Sequence, residues 1–478
     1  MKRKFLSLIL CLAALFSVFA GCTAKNDETE TEGKAAISFV DDDGYQINLG
    51  APAKKIISMY SAHTENLYAL GAGEQVIGGH TTCIFPAEAA PKATYDYQGD
   101  PEYVIAAEPD LVLIRPRISR AAPEFVESLR NAGITVVSLY PNTLDAFPDY
   151  INKLAALAGK EEKAEELLKV FDAGLNEISD LTSKAEDKQT VFFESTEVNI
   201  RTVAEGSMPD MAIKFAGGKN IAQGALPMTE GSSIAEFGAE RVLENGEGID
   251  VYVSQRGAMN AGGNLQSISE RPGFDTVSAV KNGRVYVINE KLISSPTFRY
   301  VKGVNELARF MYPEIMDDVS AYISDEPATK RDFANLITRC LHIPVYVPSS
   351  SKYYLENRDT HTYGMFEDIH WYDHDFDYIE TAVYSGYVSW RKGEDGKEYF
   401  DPDSGVTREG LAKTVFIAGD FSAKEANTAI SDLGKCGNKR IVQILVDNGV
   451  FELDENGSFL PDKQVTHNEI IQALRFVK

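Results

Sequence analysis

The sequence predicts two α/β lobes joined by one long rigid helix, followed by a C-terminal module of different composition. From residue 37 to about residue 319, short β-rich apolar runs alternate with helical stretches. This alternation is typical of parallel β units covered by helices. An amphipathic stretch without proline separates two sets of such runs. After about residue 324 the sequence becomes acidic and rich in tyrosine.

The N-terminal lobe, residues 37–155, is predicted from four apolar runs of buried-strand type. They are IISM at 56–59, VIG at 76–78, LVLI at 111–114 and VVSL at 136–139. Helical segments at 64–70 and 123–132 lie between these runs. Strands that alternate with helices in this way form parallel sheets with both faces covered.

The interlobe helix is predicted within residues 156–187. Residues 160–184 contain no proline, and their apolar side chains recur at three- and four-residue steps. This pattern predicts a helix of about 25 residues, about 37 Å long at 1.5 Å per residue. It also fits one surface helix of a single large α/β domain, which stays an alternative. The second lobe, residues 188–323, is predicted from the runs at 191–193, 251–253 and 285–288.

The N-terminus, residues 1–21, has the pattern of an export signal. A basic MKRK start precedes an apolar stretch at residues 5–20, which is too short for a comfortable membrane span. The sequence FAGC at 19–22 resembles the lipobox of bacterial lipoproteins, which implies that Cys22 is lipidated and becomes the new N-terminus. A diacyl anchor, at about 0.8 kcal/mol per buried CH₂, would hold a soluble domain on a membrane. The alternative is an ordinary signal peptide with a cysteine nearby by chance.

Charge and cysteine content limit the partners of the chain. It carries 47 Lys+Arg and 71 Asp+Glu, a net charge of −24, which argues against a nucleic-acid partner because phosphate binding needs a clustered positive surface. Residues 22–36 are polar and acidic, so we expect a flexible tether that holds the protein on the outer face of the cytoplasmic membrane. The odd set Cys83, Cys340 and Cys436 implies no disulfide framework. A Cys340–Cys436 bridge stays an alternative.

Three segments carry a family resemblance: ISMYSAHTENLYALGAGEQVIGG at 57–79, DPEYVIAAEPDLVLIR at 100–115 and FAGGKNIA at 215–222. They resemble the ABC-transporter substrate-binding proteins that capture iron-siderophores, haem and cobalamin. The resemblance covers about 285 residues. It implies two α/β lobes on one rigid helix, a ligand in the cleft between lobes that move little, and a permease with its ATPase as partners.

The same resemblance implies one docking glutamate on each lobe. Glu102 in DPEYVIAAEPDLV and Glu240 in FGAERVLENG match the glutamates that enter arginine pockets of the permease. A carboxylate opposite an arginine forms bidentate, charge-assisted hydrogen bonds. The alternative is that both are solvated helix residues, and the neighbouring Glu236 could be mistaken for Glu240.

The candidate ligand contacts follow predicted strands, because loops at the carboxyl edge of a parallel sheet hold ligands in α/β folds. They are Tyr60, His63, His80, Arg115, Arg117, Arg120, Arg201, Arg256, Arg299 and Tyr300. Guanidinium groups bind carboxylate, phosphate and catecholate oxygens, so the arginines favour an anionic ligand such as a ferric siderophore. Haem, bound through Tyr60, His63 or His80, and cobalamin are alternatives. The metal complex would be cargo, and we expect no cofactor and no resident metal site.

The C-terminal module, residues 324–478, contains weakly repeating elements at 329–334, 400–409 and 459–467, of which the last two share Phe-x-Pro-Asp-x-x-Val-Thr. With FEDIHW at 366–371, they resemble S-layer homology motifs. This implies a mostly α-helical, pseudo-threefold module that binds anionic secondary cell-wall polymer. Arg408 matches the polymer-binding arginine of that family, whereas Lys330 and His467 occupy the two equivalent positions. A degenerate module kept for packing or protein contact is the alternative.

The sequence contains no His-Glu-x-x-His, Gly-x-Ser-x-Gly or phosphate-loop motif. The acidic segment 367–377, with His370 and His374, supplies carboxylates for a hydrolase or ligands for zinc, but nothing that positions them. We therefore predict a non-catalytic lipoprotein that captures an iron-siderophore or a related metal complex in the interlobe cleft and delivers it to a permease. The alternative is a cell-wall-associated structural or adhesion lipoprotein that has lost transport.

Overall fold

A computed structural model describes residues 37–90, 92–229, 231–261, 265–343, 345, 365–370, 373, 375–424 and 428–477. The predicted signal peptide, Cys22 and the tether lie outside the described residues, as do Trp371 and His374. Within the described part of the chain, no helix is both long and apolar enough to cross a membrane.

The N-terminal lobe contains a five-stranded parallel sheet with strand order β5-β4-β3-β6-β7. Its strands are β3 (Ile56–Ser58), β4 (Val76–Gly79), β5 (Ala93–Thr94), β6 (Leu111–Ile114) and β7 (Thr135–Ser138). An antiparallel hairpin of β1 (Ile37–Val40) and β2 (Gln46–Leu49) precedes the sheet. The helices are α1 (Ser61–Ala69), α2 (Glu102–Ile105), α3 (Pro116–Ala121), α4 (Pro123–Asn131) and α5 (Phe147–Ala158). Strands β3 and β6 are buried along their whole length, which explains their uninterrupted apolar sequences.

The interlobe helix, α6 (Glu161–Thr182), has 22 residues, three fewer than predicted. It begins shortly after Gly159, which ends α5 with a φ of 67° that glycine adopts at little cost. Its apolar face, ending near Ile178, is buried. The last residue, Thr182, directs its hydroxyl to the carbonyl of Ile178 at 3.0 Å. The predicted region 156–187 therefore also includes the end of α5 and the coil after α6.

The C-terminal lobe contains a four-stranded parallel sheet with strand order β10-β8-β12-β13. Its strands are β8 (Thr190–Glu194), β10 (Lys219–Asn220), β12 (Val251–Arg256) and β13 (Val285–Asn289). A small antiparallel pair joins β9 (Thr202–Val203) to β11 (Ile234–Ala235). The helices are α7 (Met208–Phe215), α8 (Ala239–Glu244), α9 (Leu265–Ser269), α10 (Ser278–Lys281), α11 (Glu290–Ile293), α12 (Tyr300–Met311) and α13 (Pro313–Met316).

An aromatic cluster joins both lobes to α6. Phe147 of the N-terminal lobe lies 4.7 Å from Phe171 of α6, between ring centroids, and 5.5 Å from Phe298 of the C-terminal lobe. Phe171 also stacks on Tyr300 at 6.2 Å. All four side chains are buried. Large aromatic side chains dominate core energetics when buried, so this cluster fixes the lobes to the helix.

The C-terminal module is mostly helical in its described residues, as predicted. It contains a short antiparallel hairpin, β14 (Arg391–Lys392) with β15 (Glu398–Tyr399). Its helices are α14 (Lys330–Cys340), α15 (Phe376–Tyr384), α16 (Arg408–Ala418), α17 (Lys439–Asp447) and α18 (His467–Leu474). Helices α14, α16 and α18 each begin after an N-cap threonine, which is Thr329, Thr407 and Thr466 respectively. The hydroxyl of each threonine accepts a hydrogen bond from the backbone N–H of the residue three positions later. Such caps stabilise helix starts.

Backbone hydrogen bonds close these three helix starts into a pseudo-threefold ring. The residue after each threonine donates to the loop of the next element: Lys330 to Ser404 O at 2.8 Å, Arg408 to Lys463 O at 2.8 Å, and His467 to Glu326 O at 3.3 Å. The last bond shows that the first element begins before residue 329. Phe400 and Phe459 each lie four residues before the residue whose carbonyl accepts this bond, and Tyr322 lies four residues before Glu326. Tyr322 is therefore equivalent to Phe400 and Phe459, which the sequence analysis missed.

The disulfide alternative is wrong. Cys83, Cys340 and Cys436 are all free thiols. Cys83 and Cys436 are buried and Cys340 is half-buried.

Candidate functional site

Four side chains gather where parallel strands of the N-terminal sheet end. Tyr60 follows β3 and His80 follows β4, while Arg115 follows β6 and Tyr140 comes two residues after β7. The carboxyl ends of parallel strands share one edge of a sheet, and ligands bind outside that edge. Together with Tyr97, which contacts His80, we call these residues the aromatic wall.

Arg115 is the charged centre of the aromatic wall. Its guanidinium lies over the Tyr60 ring, 4.4 Å from the centroid, within the range of a cation–π contact. The rings of Tyr60 and Tyr140 lie 6.1 Å apart, and His80 stacks on Tyr97 at 5.3 Å. Tyr60 is 8% exposed, whereas the other members of the wall are half-buried, so Tyr140, His80 and Tyr97 offer the π surface beside one half-buried cation.

The phenols of Tyr60 and Tyr140 and the imidazole of His80 are neutral at physiological pH. Burial raises the pKa of Tyr60 and of Tyr140, so neither is a ready phenolate ligand. Burial lowers the pKa of His80. The Nδ1 atom of His80 lies 2.9 Å from the Thr82 hydroxyl, and no other described residue engages its Nε2. Thr82 N also donates to Nδ1 at 3.3 Å, so Nε2 can ligate a metal only in the tautomer that carries its proton on Nδ1 and donates it to the Thr82 hydroxyl.

The prediction that His63 faces the ligand is wrong. His63 is fully buried. Its Nδ1 lies 2.8 Å from the Tyr150 hydroxyl and its Nε2 lies 3.0 Å from the Ile114 carbonyl oxygen. Both ring nitrogens are thus occupied, and burial lowers the pKa of the imidazole to about 4. His63 lies in the first turn of α1, which directs it into the core instead of the cleft.

Arg299 and Tyr300 are also structural, contrary to prediction. The Nε and Nη2 atoms of Arg299 each donate to a carboxylate oxygen of Glu65 at 2.7 Å, and the guanidinium lies over the Phe85 ring at 3.7 Å. The Tyr300 hydroxyl donates to the Met208 carbonyl at 2.6 Å. Both residues stand at the start of α12, which packs on α6 and α7 and so turns them inward.

The remaining predicted arginines lie near strand ends without joining the aromatic wall. Arg117 and Arg120 are exposed on α3. Arg256 is exposed at the end of β12, and Arg201 is half-buried after β8. Neither of the last two has a described contact with the wall. The structure thus brings together Tyr60, His80 and Arg115 from the predicted set.

Sequence reasoning missed Tyr97, Tyr140 and Lys291. The Lys291 ammonium donates to the Ser61 hydroxyl at 3.1 Å, which joins the C-terminal lobe to the residue after Tyr60. Tyr140 follows β7 and Lys291 follows β13, so the rule that selected Tyr60 and Arg115 would have found both. Tyr97 does not follow a strand that the sequence predicts, so this rule would not have found it.

Glu102 and Glu240, the predicted docking residues, are exposed in the first turns of α2 and α8. They therefore stand one on each lobe. Glu236 is also exposed, before α8. The docking role of these carboxylates stays a prediction.

The three basic residues of the module are already bonded within it. Arg408 is half-buried, its Nη2 donates to the Glu452 carbonyl, and its guanidinium lies over the Phe459 ring at 5.2 Å. Lys330 donates to the Phe400 carbonyl at 2.6 Å. The Nε2 atom of His467 lies 3.4 Å from an Asp332 carboxylate oxygen and its Nδ1 lies 3.2 Å from the Glu326 carbonyl oxygen. These contacts weaken the case for a polymer site.

The acidic segment of the module makes ion pairs. Asp375 binds Arg331, with N–O distances of 2.6 and 2.7 Å, and Asp377 binds Lys302 at 3.2 Å. No described group of three or more His, Cys, Asp or Glu residues could hold a metal ion. The predicted zinc alternative also involves His374, which lies outside the described residues.

Family comparisons agree with this architecture. Residues 56–292 match the model described as a periplasmic binding protein. The bilobed part of the chain is a periplasmic binding protein domain. Residues 429–471 match the S-layer homology domain, and this match covers the third repeat of the module.

Curated relatives place this domain among transport proteins. An uncharacterized ABC transporter substrate-binding lipoprotein of Bacillus subtilis (strain 168) is 26% identical over 66% of this chain and 98% of its own. A vitamin B12-binding protein of Vibrio campbellii is 28% identical over 54% of this chain and 88% of its own. A solved structure of a possible iron-binding protein from Staphylococcus epidermidis covers 54% of this chain and 98% of its own, at 25% identity and a TM-score of 0.47.

The function class follows from these matches. The chain is a substrate-binding protein of an ABC importer, and its relatives are binding proteins and not enzymes. Such proteins work with a permease and an ATPase. The S-layer homology domain indicates a location in the cell envelope.

Proposed function

We propose that this protein captures a tetrapyrrole metal complex, such as cobalamin or haem, against the aromatic wall and delivers it to its permease. The contact of Arg115 with Tyr60, flanked by Tyr140 and by the His80–Tyr97 pair, carries the proposal. A conjugated macrocycle has flat faces that pack on aromatic rings. Its phosphate or propionate groups fit a guanidinium. The complex is cargo, and the chain needs no resident cofactor.

A ferric siderophore is the second candidate. The sequence favoured it because many arginines follow the strands. Arg299 is now neutralised by Glu65, and of the others only Arg115 lies in the aromatic wall. The support for a polyanionic ligand is therefore reduced. The vitamin B12-binding relatives favour the tetrapyrrole class.

Calorimetric titration of the soluble chain from Ile37 onward tests this proposal with cyanocobalamin, haemin and a ferric siderophore in parallel. We expect sub-micromolar affinity for one tetrapyrrole and a loss of at least about tenfold in Arg115→Leu, since a charge-assisted contact is lost. Arg117→Leu is the matched control, because Arg117 is exposed on the adjoining helix. Tight siderophore binding with neither tetrapyrrole bound would contradict the proposal.

Delivery is proposed to require Glu102 and Glu240. We expect Glu102→Ala with Glu240→Ala to abolish uptake while ligand affinity stays unchanged. Glu236→Ala is the control for a nearby exposed carboxylate. Unchanged uptake in the double variant would favour the alternative function, a wall-associated structural or adhesion lipoprotein.

Anchoring is proposed to occur through acylated Cys22 at the outer face of the cytoplasmic membrane, with Arg408 as a contact to anionic cell-wall polymer. Cys22→Ser should release the protein into the medium or leave its signal uncleaved. Arg408→Ala should reduce co-sedimentation of the soluble chain with purified walls. Equal co-sedimentation of the variant and the parent would remove Arg408 from the polymer site.

A further inference from the structure

The pseudo-threefold module has three positions that lie ten residues after an N-cap threonine, two of them in helices and the third just after α18, and their surroundings differ. Counted from the N-cap threonines, Arg339 of the first repeat is equivalent to Ile417 of the second and Phe476 of the third. Arg339 is 5% exposed, whereas Ile417 is 59% and Phe476 is 46% exposed. Another part of the chain therefore covers the first position and leaves the other two open. We call the covered surface, on α14 and α15, the first groove.

The C-terminal lobe fills the first groove through α12. The Lys302 ammonium lies 3.2 Å from a carboxylate oxygen of Asp377, and both side chains are buried. Asn305 and Arg309 both donate to the Tyr378 hydroxyl, at 3.4 and 3.2 Å. An unpaired buried charge is costly, so the ion pair fixes one docking register.

The interlobe helix, α6, also lies at the interface between α12 and the module. Glu177, Ile178 and Leu181 of α6 line a small pocket together with Tyr322, Asn335, Arg339 and Tyr378 of the module. Arg339 donates to the Met316 carbonyl at the end of α13, and its guanidinium lies 4.7 Å from the Tyr378 ring centroid. The module thus shares a pocket with α6, which connects the lobes.

We propose that the S-layer homology module is an internal brace of the substrate-binding lobes, docked through the first groove onto α6 and α12. The brace limits bending of α6 and holds the lobes in one orientation. The two open positions, marked by Ile417 and Phe476, leave the rest of the module accessible. This role depends neither on the identity of the ligand nor on wall binding.

Hydrogen exchange of the soluble chain from Ile37 onward tests the brace without any ligand. We expect Asp377→Ala to accelerate amide exchange in α6 and α12 by at least about tenfold, since it leaves Lys302 buried and unpaired. Ile417→Ala, at the open position equivalent to Arg339, should leave both helices unchanged. Unchanged exchange of α6 in Asp377→Ala would overturn the proposal.

If Asp377→Ala unfolds the module, the amides of α17 and α18 will also exchange fast. A milder variant is then used. Tyr378→Phe removes only the hydroxyl that accepts from Asn305 and Arg309. The brace predicts faster exchange in α6 and α12 with α17 and α18 still protected. Equal protection of α6 in this variant and the parent would then refute it.

Discussion

Replacing Arg299 should damage stability and leave ligand binding intact. Arg299 is 4% exposed, and its side chain forms two hydrogen bonds of 2.7 Å with Glu65, itself 4% exposed. Arg299→Met leaves the Glu65 carboxylate buried without its partner. Breaking a buried ion pair on one side costs about 3–5 kcal/mol. The loss should be near the upper end, because the guanidinium also covers the Phe85 ring.

Urea unfolding followed by circular dichroism, together with ligand titration of the folded variant, measures both effects. The free energy of unfolding should fall by the stated amount while the dissociation constant stays unchanged. Adding Glu65→Leu should restore most of the stability, because a well-packed apolar pair replaces the ions. The exposed Arg256→Met is the control and should change stability by less than about 0.5 kcal/mol. A tenfold loss of affinity with normal stability would show that Arg299 is a ligand contact and refute the reasoning.

Three further predictions concern buried groups. Burial raises the pKa of Glu380 to about 8, so the folded state keeps a proton that the unfolded state releases above about pH 4.5. The free energy of unfolding should therefore fall between about pH 4.5 and 8, by up to about 1.4 kcal/mol per pH unit from this group. In urea titrations at several pH values, Glu380→Gln should reduce this dependence of the unfolding free energy on pH. Equal dependence on pH in the variant and the parent would contradict this. Burial lowers the pKa of His63 to about 4, so stability should be lost as pH falls from about 6.5 to 4, and His63→Gln should weaken that loss in the same assay. Because Cys83, Cys340 and Cys436 are free, a reducing agent should leave the melting temperature unchanged, and a decrease would indicate a disulfide.

The fold was predictable because its elements have simple periodicities. The fully buried β3 and β6 appear as uninterrupted apolar runs, and α6 appears as a stripe at three- and four-residue steps. The ends of α6 were less predictable. The last residues of α5 are apolar too, and only the backbone turn at Gly159 separates the two helices.

For the candidate contacts, the sequence indicated which residues lie near strand ends but not which way their side chains point. A residue after a strand lies at the sheet edge, which holds for both Tyr60 and His63. Whether its side chain faces the cleft depends on the helix that begins there. The first turn of α1 directs His63 to Tyr150, and the ion pair with the buried Glu65 holds Arg299 in the core. Such long-range partners leave no local sequence pattern.

The module shows a similar limit. Tyr322 lacks the Phe-x-Pro-Asp pattern of its equivalents Phe400 and Phe459, so only backbone pairing reveals the full first repeat. The acidic residues of 367–377 suggested metal or acid chemistry. Asp375 and Asp377 instead pair with Arg331 and Lys302, the second of which belongs to a lobe distant in sequence.

A crystal structure of the chain from Ile37 onward with the tetrapyrrole that binds tightest would locate the ligand. We expect the macrocycle to pack against Tyr140 beside Tyr60, with an acidic group of the ligand on the Arg115 guanidinium. For haem, the iron should lie within coordination distance of His80 Nε2. A ligand bound away from the aromatic wall, or one that displaces Glu65 to reach Arg299, would contradict it.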